Sequence, residues 1–182
     1  MRTLSKSKLL AYRQCPKRLW LEVHRPKLRE DSATTQASFA VGHQVGDIAR
    51  RLYDPKEPQA DGFDAALART QELLQSAQPI FEAGFRAEGA LALADVMLPV
   101  SKNGKLAWRM VEVKSSTSVK DYHRDDAAVQ SFVARSSGVP LTKIALAHIN
   151  SDWVYPGNED YDGLLLENDL TDEVFDRGDE VR

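Results

Sequence analysis

The sequence predicts an α/β domain: helices first, then a three-stranded antiparallel meander, a crossover helix and a further strand. Three observations carry this. Apolar residues recur at helical spacing up to Ala77, and strand-like runs begin at Ile80. Asn103-Gly104 sits between two apolar runs, the composition of a two-residue hairpin turn. An amphipathic stretch from Asp121 to Ser137 then separates the meander from another apolar run at Leu141–Asn150, the order of a crossover onto a mixed sheet.

Ser5 to Leu21 reads as helix, with Ser5 or Ser7 as its cap and Leu9, Leu10, Tyr12, Leu19 and Trp20 as apolar positions. Pro16 removes a backbone donor, so a break is expected near Gln14–Cys15, with Pro16 opening a second short helix. Residues 25–37 read as a polar loop. Phe39 to Tyr53 is a helix with Val41, Val45, Ile48, Ala49 and Leu52 at helical spacing. Asp54-Pro55 ends it, and 54–62 is a loop containing Pro and Gly. Asp61 to Ala77 is the next helix, striped by Phe63, Leu67, Leu73 and Leu74, and Pro79 stops it. Strands are expected at Ile80–Arg86, Ala90–Pro99 and Leu106–Lys114. A helix starts at Asp121 or Asp125, ends before Gly138-Val139-Pro140, and leads to the strand Leu141–Asn150. Further on, Leu164-Leu165-Leu166 suggests a short strand and Thr171-Asp172-Glu173 a helix start. A helix beginning so near the last residue suggests either a fragment of a longer protein or a frayed tail. Residues 1–150 are read as one domain and 151–182 as an acidic C-terminal extension.

The 182 residues suffice for one domain with a real core, and 42% hydrophobic with 28% charged residues is ordinary globular composition. No apolar run approaches the roughly 20 residues that span a bilayer, so no membrane partner is expected. The first residues lack the apolar core of a signal peptide. Cys15 is the only cysteine, so it forms no internal disulfide and holds no zinc or iron–sulfur cluster by itself. A reducing cytoplasm is the expected setting. Net charge is −3, but its distribution is uneven. Residues 1–30 hold nine Lys/Arg against two Asp/Glu, and residues 151–182 hold two against eleven. Two readings stand open: the basic arm tracks a phosphate backbone, or the two ends lie together and neutralise each other.

The chemistry gathers on the meander. Side chains alternate along a strand, so in Val111-Glu112-Val113-Lys114 the two charged residues share one face and the valines the other. Alone, Glu-x-Lys is weak and usually marks a surface ion pair. Asp95 sharpens it, as a single acid inside Leu91-Ala92-Leu93-Ala94-Asp95-Val96-Met97-Leu98. A turn at Asn103-Gly104 pairs residues whose numbers sum to about 207, which sets Asp95 opposite Glu112. Facing carboxylates repel unless a cation lies between them. Hard oxygen donors suit magnesium or manganese.

An Asp, then Glu-x-Lys on the next strand, then a helix resembles the PD-(D/E)XK nuclease superfamily, and within it the RecB-like and CRISPR-adaptation exonuclease branch. Ser5-Lys6-Ser7 through Cys15-Pro16-Lys17-Arg18-Leu19-Trp20 resembles that branch's opening segment. Val41-Gly42-His43-Gln44-Val45-Gly46 resembles its first-helix motif, and Asp126-Ala127-Ala128-Val129-Gln130 its glutamine-bearing helix. The resemblance covers residues 5–150 and implies a restriction-endonuclease-like core with an N-terminal helical segment. It further implies that Asp95 and Glu112 hold a Mg2+ or Mn2+ ion, with the Val113 carbonyl as third ligand. Lys114 would position or help deprotonate the attacking water, and Gln130 would orient the site or touch the nucleic-acid backbone. The sequence departs from the pattern in three places. Ala94 stands where the family name has proline. Gly46 occupies the position of the branch's metal-ligating histidine, with His43 almost a turn earlier, either reaching the metal or capping a packed surface. Three C-terminal cysteines are missing, so no iron–sulfur cluster is expected and Cys15 reads as a small buried hydrophobe.

His24, His123 and His148 read as solvated or packed. Lys120, His123 and Arg124 either contact phosphates or simply start a helix, and Trp108 reads as core. The expected activity is that of a metal-dependent deoxyribonuclease, an exonuclease or end-processing enzyme in repair, recombination or defence. Its expected partners are single-stranded DNA or duplex ends, and a larger protein or complex through the C-terminal region. The alternatives are a non-catalytic nucleic-acid-binding module, a piece of a larger helicase–nuclease, or a protein-interaction domain in which Glu112 and Lys114 merely pair.

Overall fold

Five strands from residue 80 onward and a two-residue strand at Leu4–Ser5 build one six-stranded mixed sheet with helices against it, in a computed structural model that describes residues 3–53 and 62–182. The elements are β1 (Leu4–Ser5), α1 (Lys6–Gln14), α2 (Pro16–His24), α3 (Ala33–Tyr53), α4 (Phe63–Leu73), β2 (Ile80–Ala87), β3 (Ala90–Lys102), β4 (Lys105–Lys114), α5 (Asp121–Ser136), β5 (Leu141–Ile149), β6 (Leu165–Asp169), α6 (Thr171–Phe175) and α7 (Gly178–Val181). The sheet runs β1-β3-β4-β5-β6, and β2 pairs with β3 as well. Strands β2, β3 and β4 form the expected antiparallel meander, and α5 carries the chain across to β5, which lies parallel to β4.

The expected helix break falls at Cys15, an extended residue between α1 and α2, with Pro16 as the first residue of α2. The hairpin forms at Asn103-Gly104, both with positive φ, which permits the tight turn. Its ladder runs from Lys102↔Lys105 to Val96↔Val111, the anticipated register. Differences lie at the helix ends. Helix α3 begins six residues before the expected Phe39, because the Ser32 hydroxyl accepts from the Thr35 N–H (3.2 Å) and caps a turn inside the supposed loop. Helix α4 ends at Leu73, before the expected Ala77. Its expected start at Asp61, and nearly all of the loop at 54–62, lie outside the described residues.

Two apolar layers cover the sheet. On one face Ala92, Ala94, Met97, Trp108, Met110, Ile144 and Leu146 pack against Ala127, Ala128, Val133 and Ala134 of α5. On the other, Phe81, Val96, Val111, Ala145 and Ala147 pack with Tyr53 of α3. Helix α4 approaches β2 at Gly84, where a Cβ would stand 3.0 Å from the Leu67 nitrogen. The Gly84 N–H donates to Thr70 Oγ1 of α4 (2.8 Å), satisfying a donor buried under the helix.

The segment after residue 150 is not frayed. Strand β6 pairs antiparallel with β5, and Leu170 and Val174 are each only 2% exposed in the main core. The two oppositely charged ends do meet. Arg13 of α1 bridges Asp125 (2.7 Å) and pairs with Glu180 of α7, while Arg177 holds the other oxygen of Asp125 (2.7 Å). Cys15 is exposed, which corrects its reading as a buried hydrophobe: it is the extended residue at the break between α1 and α2 and lines an open groove there. Among the described residues no helix is long and apolar enough to cross a membrane.

Candidate active site

Regular alternation down β4 carries Glu112 and Lys114 onto the face that α5 covers, while Val111 and Val113 join the opposite layer. Strand β3 is less regular. Ala92 and Ala94 lie in the α5-side core, but then Val96 faces the α3 side and Met97 the α5 side. The alternation slips by one residue at Asp95. Directly across, Glu82 of β2 has φ +52°, and no backbone bridge joins Glu82 to Asp95. This paired irregularity releases Asp95 from the ladder, and its carboxylate accepts the Val113 N–H instead (2.8 Å). Asp95, Glu112, Val113 and Lys114 thus open onto one cavity of about 250 Å³, walled by α3 through His43, Gly46 and Ala49.

Glu112 is 1% exposed, and such a carboxylate needs its charge met. Gln130 Nε2 donates to its Oε2 (2.6 Å), and Lys114 Nζ donates to its Oε1 (2.5 Å). Two further residues join, neither of them assigned a role from the sequence. Asp126, one turn before Gln130 on α5, accepts from Lys114 Nζ (2.6 Å). Lys6, the first residue of α1, reaches Asp126 Oδ1 (2.8 Å) and Glu112 Oε1 (3.3 Å). Asp126 was legible in principle: i to i+4 spacing puts it on the face of Gln130. Lys6 carried no local signal, being one of nine basic residues in a segment far away in sequence.

The electrostatics follow from this crowding. Burial raises the Asp95 carboxyl above its ordinary value, against the pull of Lys6, Lys114 and the Val113 N–H. Burial, and next the nearby Glu112, raise Asp126. For Lys114, burial works against the charge, but Glu112, Asp126 and Asp95 together outweigh it and hold the ammonium firmly protonated. The same balance raises Lys6. His123 is buried near this cluster and pushed down to about 4 by desolvation and then by Lys114, so it is neutral. Its Nδ1 accepts the Lys120 N–H (3.2 Å), a cap at the start of α5, in keeping with a packed histidine.

Among the sequence-singled residues, Asp95, Glu112, Lys114 and Gln130 come together. His43 is exposed on α3 and borders the same cavity, as does Gly46. Trp108 is core. Among the described residues no group of three or more His, Cys, Asp and Glu side chains is gathered to hold a metal. Four acids border the cavity, Asp47, Glu82, Asp95 and Glu112; of these Asp95 and Glu112, with the Val113 segment, form a hard-oxygen set of the kind that magnesium and manganese accept with water completing the shell.

The fold has a solved counterpart. The protein SSO0001 matches in its crystal structure with a TM-score of 0.53, over all of this chain and 75% of that one, at 14% sequence identity. At such identity the likeness speaks for the fold alone. No protein-family model and no curated protein matches this sequence.

Proposed function

We propose that this chain is a metal-dependent deoxyribonuclease with a restriction-endonuclease-like core, acting on DNA ends or single strands. The observation that carries the reading is the convergence of Asp95, Glu112 and Lys114 on one cavity, with Gln130 holding the far oxygen of Glu112. Buried acids and lysines are costly to a fold, and clusters of them mark functional sites more often than stability devices.

Asp95 and Glu112 would hold Mg2+ or Mn2+, which when bound lowers the pKa of water and polarises the phosphodiester. The chain's own groups supply the rest. Gln130 fixes the Glu112 carboxylate so that it keeps one geometry. The Val113 N–H fixes Asp95 in the same way. Lys114 stays an ammonium and can donate to a phosphate oxygen or orient the attacking water. His43 borders the cavity and would add a nitrogen donor there.

The test is hydrolysis of labelled single- and double-stranded DNA with magnesium or manganese, wild type against Glu112→Ala and Asp95→Asn. Loss of cleavage by a hundredfold or more in both variants is expected, on the scale of removing a preorganised transition-state contact. Equal activity in wild type and variants would refute the reading. One observation favours a second reading, a non-catalytic nucleic-acid-binding module. Lys8, Lys17, Arg18, Arg25 and Arg29, against Glu22, Glu30 and Asp31, line an open groove of about 880 Å³ between the N-terminal helices and α3. DNA affinity that survives both substitutions, without cleavage in the wild type, would select it.

A further inference from the structure

Strand β1 is only two residues long, yet it is fastened. Leu4 and Ser5 pair in parallel with Ala90 and Leu91 at the start of β3, and the Leu4 N–H donates to the Gly89 carbonyl (3.0 Å). The next residue, Lys6, begins α1, so this short pairing fixes where the Lys6 side chain can reach. It reaches Asp126 at 2.8 Å and Glu112 at 3.3 Å, on the border of the cavity that holds Asp95.

Lys6 helps balance two buried acids, and it takes Asp126 Oδ1, the oxygen of that acid that Lys114 does not reach. Lys114 already binds both carboxylates, and Gln130 satisfies the other oxygen of Glu112. Bringing another lysine in adds desolvation and side-chain ordering penalties. Of the groups involved, Lys6 is among the more accessible: its side chain is 21% exposed, against 1% for Glu112 and 9% for Asp126. A lysine is a compact point charge with three donors on a flexible stem, suited to a phosphate oxygen arriving from the open side.

We propose that Lys6 is a second functional lysine, whose ammonium holds a phosphate of the bound strand beside Lys114 and which β1 delivers to the site. This rests on the nuclease reading for the identity of its ligand. A divalent cation held by Asp95 and Glu112 would take over the charge of Glu112, the longer of the two Lys6 contacts (3.3 Å), and leave Lys6 anchored by Asp126 with donors to spare for the phosphate.

The test is binding of a labelled single-stranded oligonucleotide, read by fluorescence anisotropy over a salt series, with calcium replacing magnesium. Wild type is compared with Lys6→Met, Lys6→Gln and Lys6→Arg. Lys143→Met serves as the control of equal charge change, on β5 beside Asp169. Lys6→Met and Lys6→Gln are expected to weaken binding about tenfold and to reduce the slope of log affinity against log salt by about one. Lys6→Arg should recover most of the affinity, and Lys143→Met should change little. Thermal melting identifies any variant that does not fold, and Lys6→Gln, which keeps a donor, stands in if Lys6→Met fails to fold. Wild-type affinity and slope in a folded Lys6→Met or Lys6→Gln protein would overturn the proposal and leave Lys6 a structural residue. Cleavage by the wild type is scored separately. Cleavage with Lys6-independent binding sinks only this inference, and Lys6-dependent binding without cleavage sinks only the nuclease reading.

Discussion

Replacing Lys114 by Met removes one ammonium from between two buried acids. Glu112 Oε1 and Asp126 Oδ2 each lose their contact with Lys114 Nζ, while Lys6 and Gln130 remain. Breaking a buried ion pair from one side costs about 3–5 kcal/mol when nothing else compensates. Here two partners stay, so a loss of about 2–3 kcal/mol at neutral pH is expected. For a chain of this size that is about 5–10 °C in Tm. The sign of the pH dependence follows from Asp126. Its folded pKa is already raised, by burial and then by Glu112, and losing Lys114 raises it further. A group with a raised folded pKa favours the folded state at low pH, and that contribution fades as pH rises through the folded value. The deficit should therefore narrow as pH falls toward the ordinary aspartate value of 3.8. Millimolar magnesium should recover part of it at neutral pH, by binding the carboxylates of the folded state. Urea denaturation at neutral and acidic pH, with and without magnesium, measures all three effects. A urea midpoint equal to that of wild type, or a deficit that widens in acid, would refute this account of the cluster.

Three further outcomes follow from the same geometry. Gln130→Met keeps the volume but removes the donor to Glu112 Oε2, and it also removes Gln130 Oε1, which is buried without a partner. Stability should fall by about 1–3 kcal/mol while cleavage falls at least tenfold, checked by urea melts and single-turnover rates. Gly84→Ala forces a methyl to within 3.0–3.1 Å of the α4 backbone and should cost about 1–3 kcal/mol, read from the denaturation midpoint. His123 is held neutral down to about pH 4, so the unfolded chain binds a proton that the folded chain refuses from 6.5 downward. Wild-type stability should therefore fall across that window by about 1 kcal/mol or more, and His123→Gln, compared by urea midpoints, should flatten the fall.

Much of this site was legible in the linear chain because its signals are local. Alternation alone placed Glu112 with Lys114 and against the valines. Asn103-Gly104 set the hairpin, and counting outward from it reached the observed Val96↔Val111 pair. The helix of Gln130 was legible from its period and its Gly-Val-Pro stop. The early start of α3 was also written locally, in Ser32, but a polar stretch rich in Thr and Gln hides a capped helix as easily as it forms a loop.

What the sequence by itself determined is therefore the order of elements, the hairpin register and the face on which the Glu-x-Lys pair lies, since each depends on residues a few positions apart. Only the tertiary structure decided that Lys6 crosses more than a hundred residues to reach Glu112, that Asp126 joins it, and that β3 slips at Asp95 opposite Glu82. It likewise decided that Leu170 and Val174 close the core instead of trailing off. These are outcomes of packing between distant segments, where burial and charge compensation choose the partners, and no local periodicity encodes that choice.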